Sequence, residues 1–283
     1  MQNLVDKKIV IVGLGLIGGS VARALSQLEI KCDLVAVGRN ESVLQQAISE
    51  GSITAYTTDI EIACADADII ILAVPVLSIA EQLRQLAPVL SGTTIITDVA
   101  SVKNAVVQAA QEVFGEIPAN FVPGHPIAGS EQSGYSAAKA DLFEGRKVIL
   151  TPLEQTAPAA VALVRELWES IGAEVLEMSV TRHDEVLAAT SHLPHLLAFA
   201  LVDTLSQQGE SEEIFRYAAG GFRDFTRIAS SDPVMWRDIF LTNGPATIAI
   251  LDKYVADLQG LRNALVHGDA DMLFDTFKRA KQS

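Results

Sequence analysis

Residues 8–24, Lys-Ile-Val-Ile-Val-Gly-Leu-Gly-Leu-Ile-Gly-Gly-Ser-Val-Ala-Arg-Ala, join a run of β-branched residues to a glycine-rich turn and the start of a helix. Gly13, Gly15 and Gly18 follow the pattern G-x-G-x-x-G directly after the apolar residues 9–12. In this pattern the first glycine permits a tight turn, the second lets a pyrophosphate approach the backbone, and the third lets the helix pack close to the strand. The amides of the first helical turn and the positive end of the helix dipole then face the phosphates. The stretch therefore predicts a dinucleotide-binding domain.

The end of the next predicted strand indicates which dinucleotide binds. That strand covers residues 34–37 and is followed by Gly38, Arg39 and Asn40. In an NAD site an Asp or Glu at this position accepts hydrogen bonds from the ribose hydroxyls. Here the strand end offers an arginine and no carboxylate, since Asp33 lies at the amino end of the strand. Arg39 can pair with a 2′-phosphate, with Asn40 or Ser42 as neutral donors. The pattern favours NADP over NAD, and the alternative is a solvated surface arginine.

The composition limits the class of protein. The chain has 283 residues, of which 49% are hydrophobic, enough for one large domain or two ordinary ones. Its net charge of −14 argues against a nucleic-acid partner. Cys32 and Cys64 form neither a disulfide framework nor a zinc-binding spacing. The apolar run near the start imitates a secretion signal, but the glycine spacing explains it better, and no other stretch is expected to span a membrane. We therefore expect a soluble, cytoplasmic protein.

Strand and helix patterns alternate down to about residue 177, which predicts a doubly wound, mostly parallel α/β sheet of the Rossmann type. Ligands in such sheets collect outside the carboxyl ends of the strands. The candidate strands are residues 9–12, 34–37, 69–74, 94–99, 121–122, 147–151 and 174–176, with helices near 17–28, 41–50, 76–88, 102–114 and 158–171. The predicted cofactor-binding residues are Gly13, Gly15, Leu16, Ile17, Gly18, Gly38, Arg39, Asn40, Val74, Pro75 and Ser101.

Beyond Met178 the pattern becomes helical. Residues 179–206, 212–219, 233–242, 245–266 and 270–281 show helical spacing of apolar residues. We therefore predict a dinucleotide-binding domain over residues 1–178 and an all-helical domain over residues 179–283. A helical domain of this kind can close over a substrate, mediate dimerisation, or do both.

The first candidate for chemistry is His125, which follows a strand within a segment rich in Gly and Pro. Histidine has the right unperturbed pKa to take a proton near neutral pH. The alternative is a histidine that only supports a turn. Ser101, which follows the preceding strand, can orient the imidazole ring or a substrate hydroxyl.

Two further groups of polar residues lie in the helical part. Ser191 and His195 are four residues apart on one helical face. His192 and His195, three residues apart, could also bind a metal ion, but the sequence offers no clear third ligand, so we predict no metal. Downstream, Arg227 can bind a carboxylate with two hydrogen bonds, and Asp224 can hold its guanidinium; the alternative is an interdomain salt bridge.

These motifs occur in an order that resembles the prephenate/arogenate dehydrogenase family of tyrosine biosynthesis. The resemblance covers residues 7–280, nearly the whole chain. It is carried by Gly13-x-Gly15-x-x-Gly18-Gly19, Asp98-x-x-Ser101-x-Lys103, His125-Pro-Ile-Ala-Gly-Ser-Glu131, Ser191-His-Leu-Pro-His195 and Gly220-Gly-Phe-Arg-Asp-Phe-Thr-Arg227.

The resemblance implies an oxidative decarboxylation of a cyclohexadiene. In that scheme the catalytic residue His125 polarises or deprotonates the ring C4 hydroxyl, with Ser101 beside it, while hydride leaves for the nicotinamide and CO₂ is lost. It further implies a homodimer formed through the helical domain. The implied substrate-binding residues are Arg227, supported by Asp224, together with Ser191, His195 and Glu131.

The choice of substrate depends on one group, because arogenate carries an ammonium where prephenate carries a keto oxygen. Glu131 can pair with an ammonium, and an arginine at position 39 resembles the compact, NADP-dependent arogenate dehydrogenases of the family. We therefore expect arogenate as the substrate, with prephenate as the alternative. Hydroxy-acid dehydrogenases and imine reductases lack the two histidine motifs. A non-enzymatic NADP sensor would have no need of His125, Ser191 and Arg227.

Overall fold

The computed structural model describes residues 2–130, 132–208 and 211–282. Glu131, predicted to bind substrate, therefore lies outside the described residues. The strands are β1 Lys8–Val12, β2 Asp33–Val37, β3 Ala55–Thr57, β4 Ile69–Leu72, β5 Ile95–Asp98, β6 Phe121–Val122, β7 Gly124–Pro126, β8 Lys147–Leu150 and β9 Glu174–Glu177. The helices are α1 Leu16–Ser26, α2 Glu41–Ser49, α3 Ile60–Cys64, α4 Ile79–Leu86, α5 Lys103–Phe114, α6 Pro158–Ser170, α7 Val180–Leu187, α8 Leu193–Ser206, α9 Ser211–Arg216, α10 Gly220–Thr226, α11 Pro233–Thr242, α12 Gly244–His267 and α13 Ala270–Gln282.

The main sheet has six parallel strands in the order β3-β2-β1-β4-β5-β6. This order reverses beside β1, so a crevice opens where the chain turns from β1 into α1, the place where dinucleotides bind in such sheets. The prediction of a Rossmann-type sheet is confirmed.

Both faces of this sheet are buried, which explains its continuous apolar strands. Side chains alternate along a strand, so Ile9 and Ile11 join one core with α1, α2 and α6. Val10 and Val12 join the opposite core with α3, α4 and α5.

Two details of the predicted sheet are wrong. The strands predicted at 147–151 and 174–176 are not part of the main sheet, since β8 and β9 form a second, three-stranded sheet with β7. The strand β7, which runs antiparallel to β8 and carries His125, was not predicted, because its flanking Gly124 and Pro126 are poor strand formers. The short elements β3 and α3 were also missed.

The part of the chain beyond residue 178 is helical in its described residues. The helix predicted over 179–206 is a continuous run in which a π-helical turn, Ala188–His192, separates α7 from α8. By length and composition alone this run, Val180–Ser206, could cross a membrane, contrary to the sequence prediction. It carries the buried polar residues His183, Asp184 and His192, which are costly in a lipid environment, so we interpret it as a packed helix of the fold and not as a membrane span.

Candidate active site

The three glycines of the β1–α1 turn serve three different steric purposes. Gly13 has φ +100°, and a Cβ there would lie 2.5 Å from the carbonyl oxygen of Ala73 on the neighbouring strand's exit. A Cβ on Gly18 would lie 2.0 Å from the oxygen of Gly13, so α1 packs directly on the turn. A Cβ on Gly15 would meet no atom within 4 Å, which leaves open space at the position where a pyrophosphate approaches.

The start of α1 is arranged to bind an anion. Gly15 is its N-cap and offers no capping side chain, and the first hydrogen bond within the helix runs from the amide of Gly19 to the oxygen of Gly15. The amides of Leu16 and Ile17 precede that bond and remain available to a ligand. The residues present therefore fit a dinucleotide pyrophosphate.

The end of β2 leaves a cationic side chain exposed. Arg39 is exposed and has no hydrogen bond or ion pair with the described residues. Asn40 caps α2, since its side-chain oxygen accepts hydrogen bonds from the amides of Ser42 and Val43. The Ser42 hydroxyl also donates to Asn40, at 2.7 Å, so these two polar residues are occupied in holding the loop.

A cleft of about 520 Å³ lies where β7 and the loop after β5 face the helical part. It brings together five of the predicted site residues, which come from four separate segments of the chain: Ser101, His125, Ser191, His195 and Arg227. Asp224 is exposed and does not line this cleft, and the structure has no hydrogen bond or ion pair between it and Arg227, although both are described.

His125 is held by two residues that sequence analysis missed. Its Nδ1 lies 2.9 Å from Nε2 of His183, and Nδ1 of His183 lies 2.8 Å from the Asp184 carboxylate. His125 and His183 are both buried. Ser101 lines the cleft but has no hydrogen bond to His125, so the ring is oriented by His183 and not by the predicted serine.

The Asp184 carboxylate also caps α5. Its two oxygens accept the amides of Lys103 and Asn104, at 2.8 and 2.9 Å, at a helix start where the N-cap residue Val102 has no capping group. Burial raises the pKa of Asp184, but the hydrogen bond from His183 and these two amide bonds outweigh it, so the pKa is lowered. The carboxylate therefore joins the helical part to the sheet edge that bears Ser101.

A buried ion pair fixes β7 to β5. Lys103 is fully buried, and its ammonium contacts the Asp98 carboxylate and donates to the oxygen of Gly124 at 2.6 Å. Asp98 in turn accepts the amides of Ala100 and Gly124. The residue next to His125 is thus held by a fully paired charge cluster.

The histidines of the cleft are neutral at physiological pH. Burial, with His183, Lys103 and His192 nearby, lowers the pKa of His125 well below its usual 6.5. Burial also lowers the pKa of His183 and of His195, and it lowers the pKa of His192 to about 4. His125 is therefore available as a proton acceptor.

The π-helical turn places three polar residues along one side of the cleft. Ser191, His192 and His195 all line it. The ring of His195 stacks on Trp236 at a centroid distance of 3.7 Å. Its Nδ1 donates a hydrogen bond to the backbone carbonyl oxygen of Ser191. His192 Nδ1 lies 3.0 Å from the side-chain nitrogen of Asn243. Among the described residues no cluster of His, Cys, Asp or Glu is arranged to hold a metal ion.

Comparison with known families gives two matches that together cover most of the chain. The family model "Prephenate dehydrogenase, nucleotide-binding domain" matches residues 21–177, and "Prephenate dehydrogenase, dimerization domain" matches residues 179–279. The chain is 40% identical to the cyclohexadienyl dehydrogenase of Zymomonas mobilis, covering 99% of this chain and 95% of that one. It is 37% identical to the prephenate dehydrogenase of Bacillus subtilis, covering 99% of this chain and 76% of that one.

Solved structures give the same result. The prephenate dehydrogenase of Aquifex aeolicus, in complex with hydroxyphenyl propionate and NAD⁺, superposes with a TM-score of 0.90 at 38% identity, covering 98% of this chain and 97% of that one. The arogenate dehydrogenase of Synechocystis superposes with a TM-score of 0.83 at 30% identity, covering 97% and 98%.

Proposed function

Because this chain belongs to the prephenate dehydrogenase family, we propose that it oxidises and decarboxylates L-arogenate to L-tyrosine with NADP as hydride acceptor. The observation that carries the proposal is the cleft in which His125, Ser101, Ser191, His195 and Arg227 meet beside the dinucleotide-binding edge of the sheet. The predicted domain boundary near residue 178 then separates a cofactor domain from a substrate and dimerisation domain.

In this proposal His125 is the general base. Its Nε2 accepts a hydrogen bond from the ring C4 hydroxyl and takes that proton as the C4 hydride leaves. The electron pair of the C1–carboxylate bond enters the ring, CO₂ departs, and His125 returns the proton to the phenolate oxygen. The bound dinucleotide supplies the hydride acceptor. A positioned base of this kind contributes about 10²–10⁴-fold.

Arg227 is proposed to bind a substrate carboxylate, since it is the only cationic side chain among the described residues of the cleft lining. A guanidinium matches a carboxylate with two parallel hydrogen bonds. Ser101 is proposed to bind the C4 hydroxyl, and Ser191 and His195 to line the ring. We expect Arg227→Ala to raise KM more than it lowers kcat, and His125→Asn to do the reverse.

Arg39 supports NADP as the cofactor. It is exposed, it follows β2, and no carboxylate stands at the end of that strand, where an NAD enzyme needs one. The competing candidate is NAD, because the Aquifex relative was crystallised with NAD⁺. Arg39→Asp should raise the KM for NADP and leave that for NAD nearly unchanged. An unchanged ratio of the two KM values would show that Arg39 does not contact the 2′-phosphate.

The substrate has a second candidate. Glu131, the proposed partner for the arogenate ammonium, is outside the described residues, while the Bacillus subtilis and Aquifex relatives, both named prephenate dehydrogenase, favour prephenate. The single test is NADPH or NADH formation by the purified protein, offered each substrate with each cofactor. Turnover of arogenate with NADP supports the proposal. A preference for prephenate would overturn only the choice of substrate. Failure of all four combinations refutes the function.

We further propose that the protein is a homodimer formed by its helical part, in line with the matched dimerization-domain family. Large apolar side chains of this part are exposed in the single chain: Leu241, Ile248, Val255, Leu258, Leu265, Val266, Met272, Phe274 and Phe277. Apolar exposure on this scale is typical of a subunit interface. Sedimentation equilibrium should give twice the mass of 30.2 kDa.

A further inference from the structure

We propose that His183 and Asp184 act as positioning residues for His125, fixing its tautomer so that the bare Nε2 faces the substrate cleft. This inference rests on the proposed function for its kinetic readouts. It is carried by the chain of contacts His125 Nδ1–His183 Nε2–His183 Nδ1–Asp184, with distances of 2.9 and 2.8 Å.

The direction of each hydrogen bond follows from the last member of the chain. Asp184 accepts hydrogen bonds from the amides of Lys103 and Asn104, so its carboxylate acts only as an acceptor. His183 Nδ1 must therefore carry the proton that it shares with Asp184. A neutral imidazole has one proton, so His183 Nε2 is an acceptor.

This acceptor determines the state of His125. The Nδ1 of His125 must donate to His183, which leaves Nε2 without a proton. That Nε2 has no hydrogen bond to any described residue, and His125 lines the cleft. The hydrogen-bond relay from His125 through His183 to Asp184 thus leaves unprotonated the nitrogen that must accept the C4 hydroxyl proton. In the other tautomer of His125, Nε2 would carry a proton and could not accept one.

The same contacts support His125 after it has taken the proton. A positive imidazole at this position is disfavoured by burial and by the neighbouring His183, Lys103 and His192. The hydrogen bond from His125 to His183 partly offsets this cost. His183 is itself bonded to the Asp184 carboxylate, and hydrogen bonds in such a chain polarise and strengthen one another.

Two substitutions at one position separate this role from simple packing. Asparagine places its amide where Nδ1 of histidine lies, so His183→Asn can keep the bond to Asp184 and removes the acceptor from His125. Glutamine places its amide oxygen near the position of Nε2, so His183→Gln keeps an acceptor for His125. We expect kcat to fall on the order of 10²-fold in His183→Asn, with KM nearly unchanged, and to be largely recovered in His183→Gln.

A double variant tests whether His183 acts through His125. In the His125→Asn background, His183→Asn should cause less than about a threefold further loss of kcat, since groups that act as a unit are not additive. Independent losses that multiply, or equal losses in His183→Asn and His183→Gln accompanied by a raised KM, would show a structural role and overturn the proposal.

The tautomer is also measurable without turnover. In the full-length protein labelled with ¹⁵N-histidine, the proposal requires a protonated Nδ1 and a bare Nε2 on His125, with the signals identified by their loss in His125→Asn. A protonated Nε2 refutes it. Because this measurement uses no substrate, it separates failure of the relay from failure of the proposed reaction.

Discussion

Burial of His192 makes the stability of this protein sensitive to mild acid. Its pKa is lowered from 6.5 to about 4 by burial, with His183 and His195 adding to the effect and Asp184 opposing it. The folded protein therefore binds fewer protons at this site than the unfolded chain between these two values. As the pH falls through 6.5, protons stabilise the unfolded state, and the contribution of neutral His192 is progressively lost.

The size of this effect follows from the two pKa values. Between pH 7 and pH 5, a site with an unfolded pKa of 6.5 and a folded pKa of about 4 costs about 2 kcal/mol in the free energy of unfolding. The perturbation that removes it is His192→Asn, whose amide oxygen can still accept the hydrogen bond that Asn243 gives to Nδ1.

Urea unfolding, followed by tryptophan fluorescence at one protein concentration, measures the difference. His192→Asn should be less stable than the wild type at pH 7, because the ring packed beside Trp236 is lost. However, its free energy of unfolding should decrease by about 2 kcal/mol less than that of the wild type on going to pH 5. The exposed His267 provides the control, since His267→Asn should leave the pH dependence unchanged. Parallel losses in wild type and His192→Asn would refute a depressed pKa at His192.

The remaining predictions concern the turn and the buried ion pair. Gly13→Ala should destabilise the protein without cofactor by at least about 2 kcal/mol in thermal unfolding, because a Cβ there lies 2.5 Å from the Ala73 oxygen at φ +100°. Gly15→Ala should leave the melting temperature unchanged, since its Cβ meets nothing within 4 Å, and should weaken dinucleotide binding at least tenfold by calorimetry; unaltered affinity would contradict the assignment. Lys103→Met should cost about 3–5 kcal/mol by leaving the Asp98 charge buried and unpaired, and Asp98→Asn should recover part of this loss in the double variant.

The fold was largely predictable because its signals are local. A glycine turn, a period of two in buried strands and strand–helix alternation are all written within short windows, and they gave the Rossmann-type sheet. The second sheet was not predictable in this way. Its strand β7 contains Gly124 and Pro126, and its pairing to β8 depends on contacts formed only after the chain has folded.

Residues of the candidate site were predictable only where they lie within a recognisable sequence motif. His125, Ser191, His195 and Arg227 lie in distinctive segments and do meet in one cleft. His183 stands between Arg182 and Asp184, a sequence typical of a solvated helical face, and is buried by packing that joins residues 58 positions apart.

One local signal did point to the missed residues. The helix α5 begins after Val102, a residue that cannot cap the first amides of a helix. A helix start of this kind leaves its first amides to water, to a ligand or to an acceptor from elsewhere in the chain, and here Asp184 is that acceptor.

Because the cleft histidines are neutral, attracting an anion and accepting a proton fall to different residues. A protonated His125 would attract a substrate carboxylate but could not accept the hydroxyl proton. Burial keeps the imidazoles uncharged, so among the described lining residues the attraction for an anion rests on Arg227. Arginine stays charged at every physiological pH, whereas a lowered histidine pKa keeps the base free. In the proposed reaction, substrate binding and proton transfer therefore rest on groups whose charges do not change together.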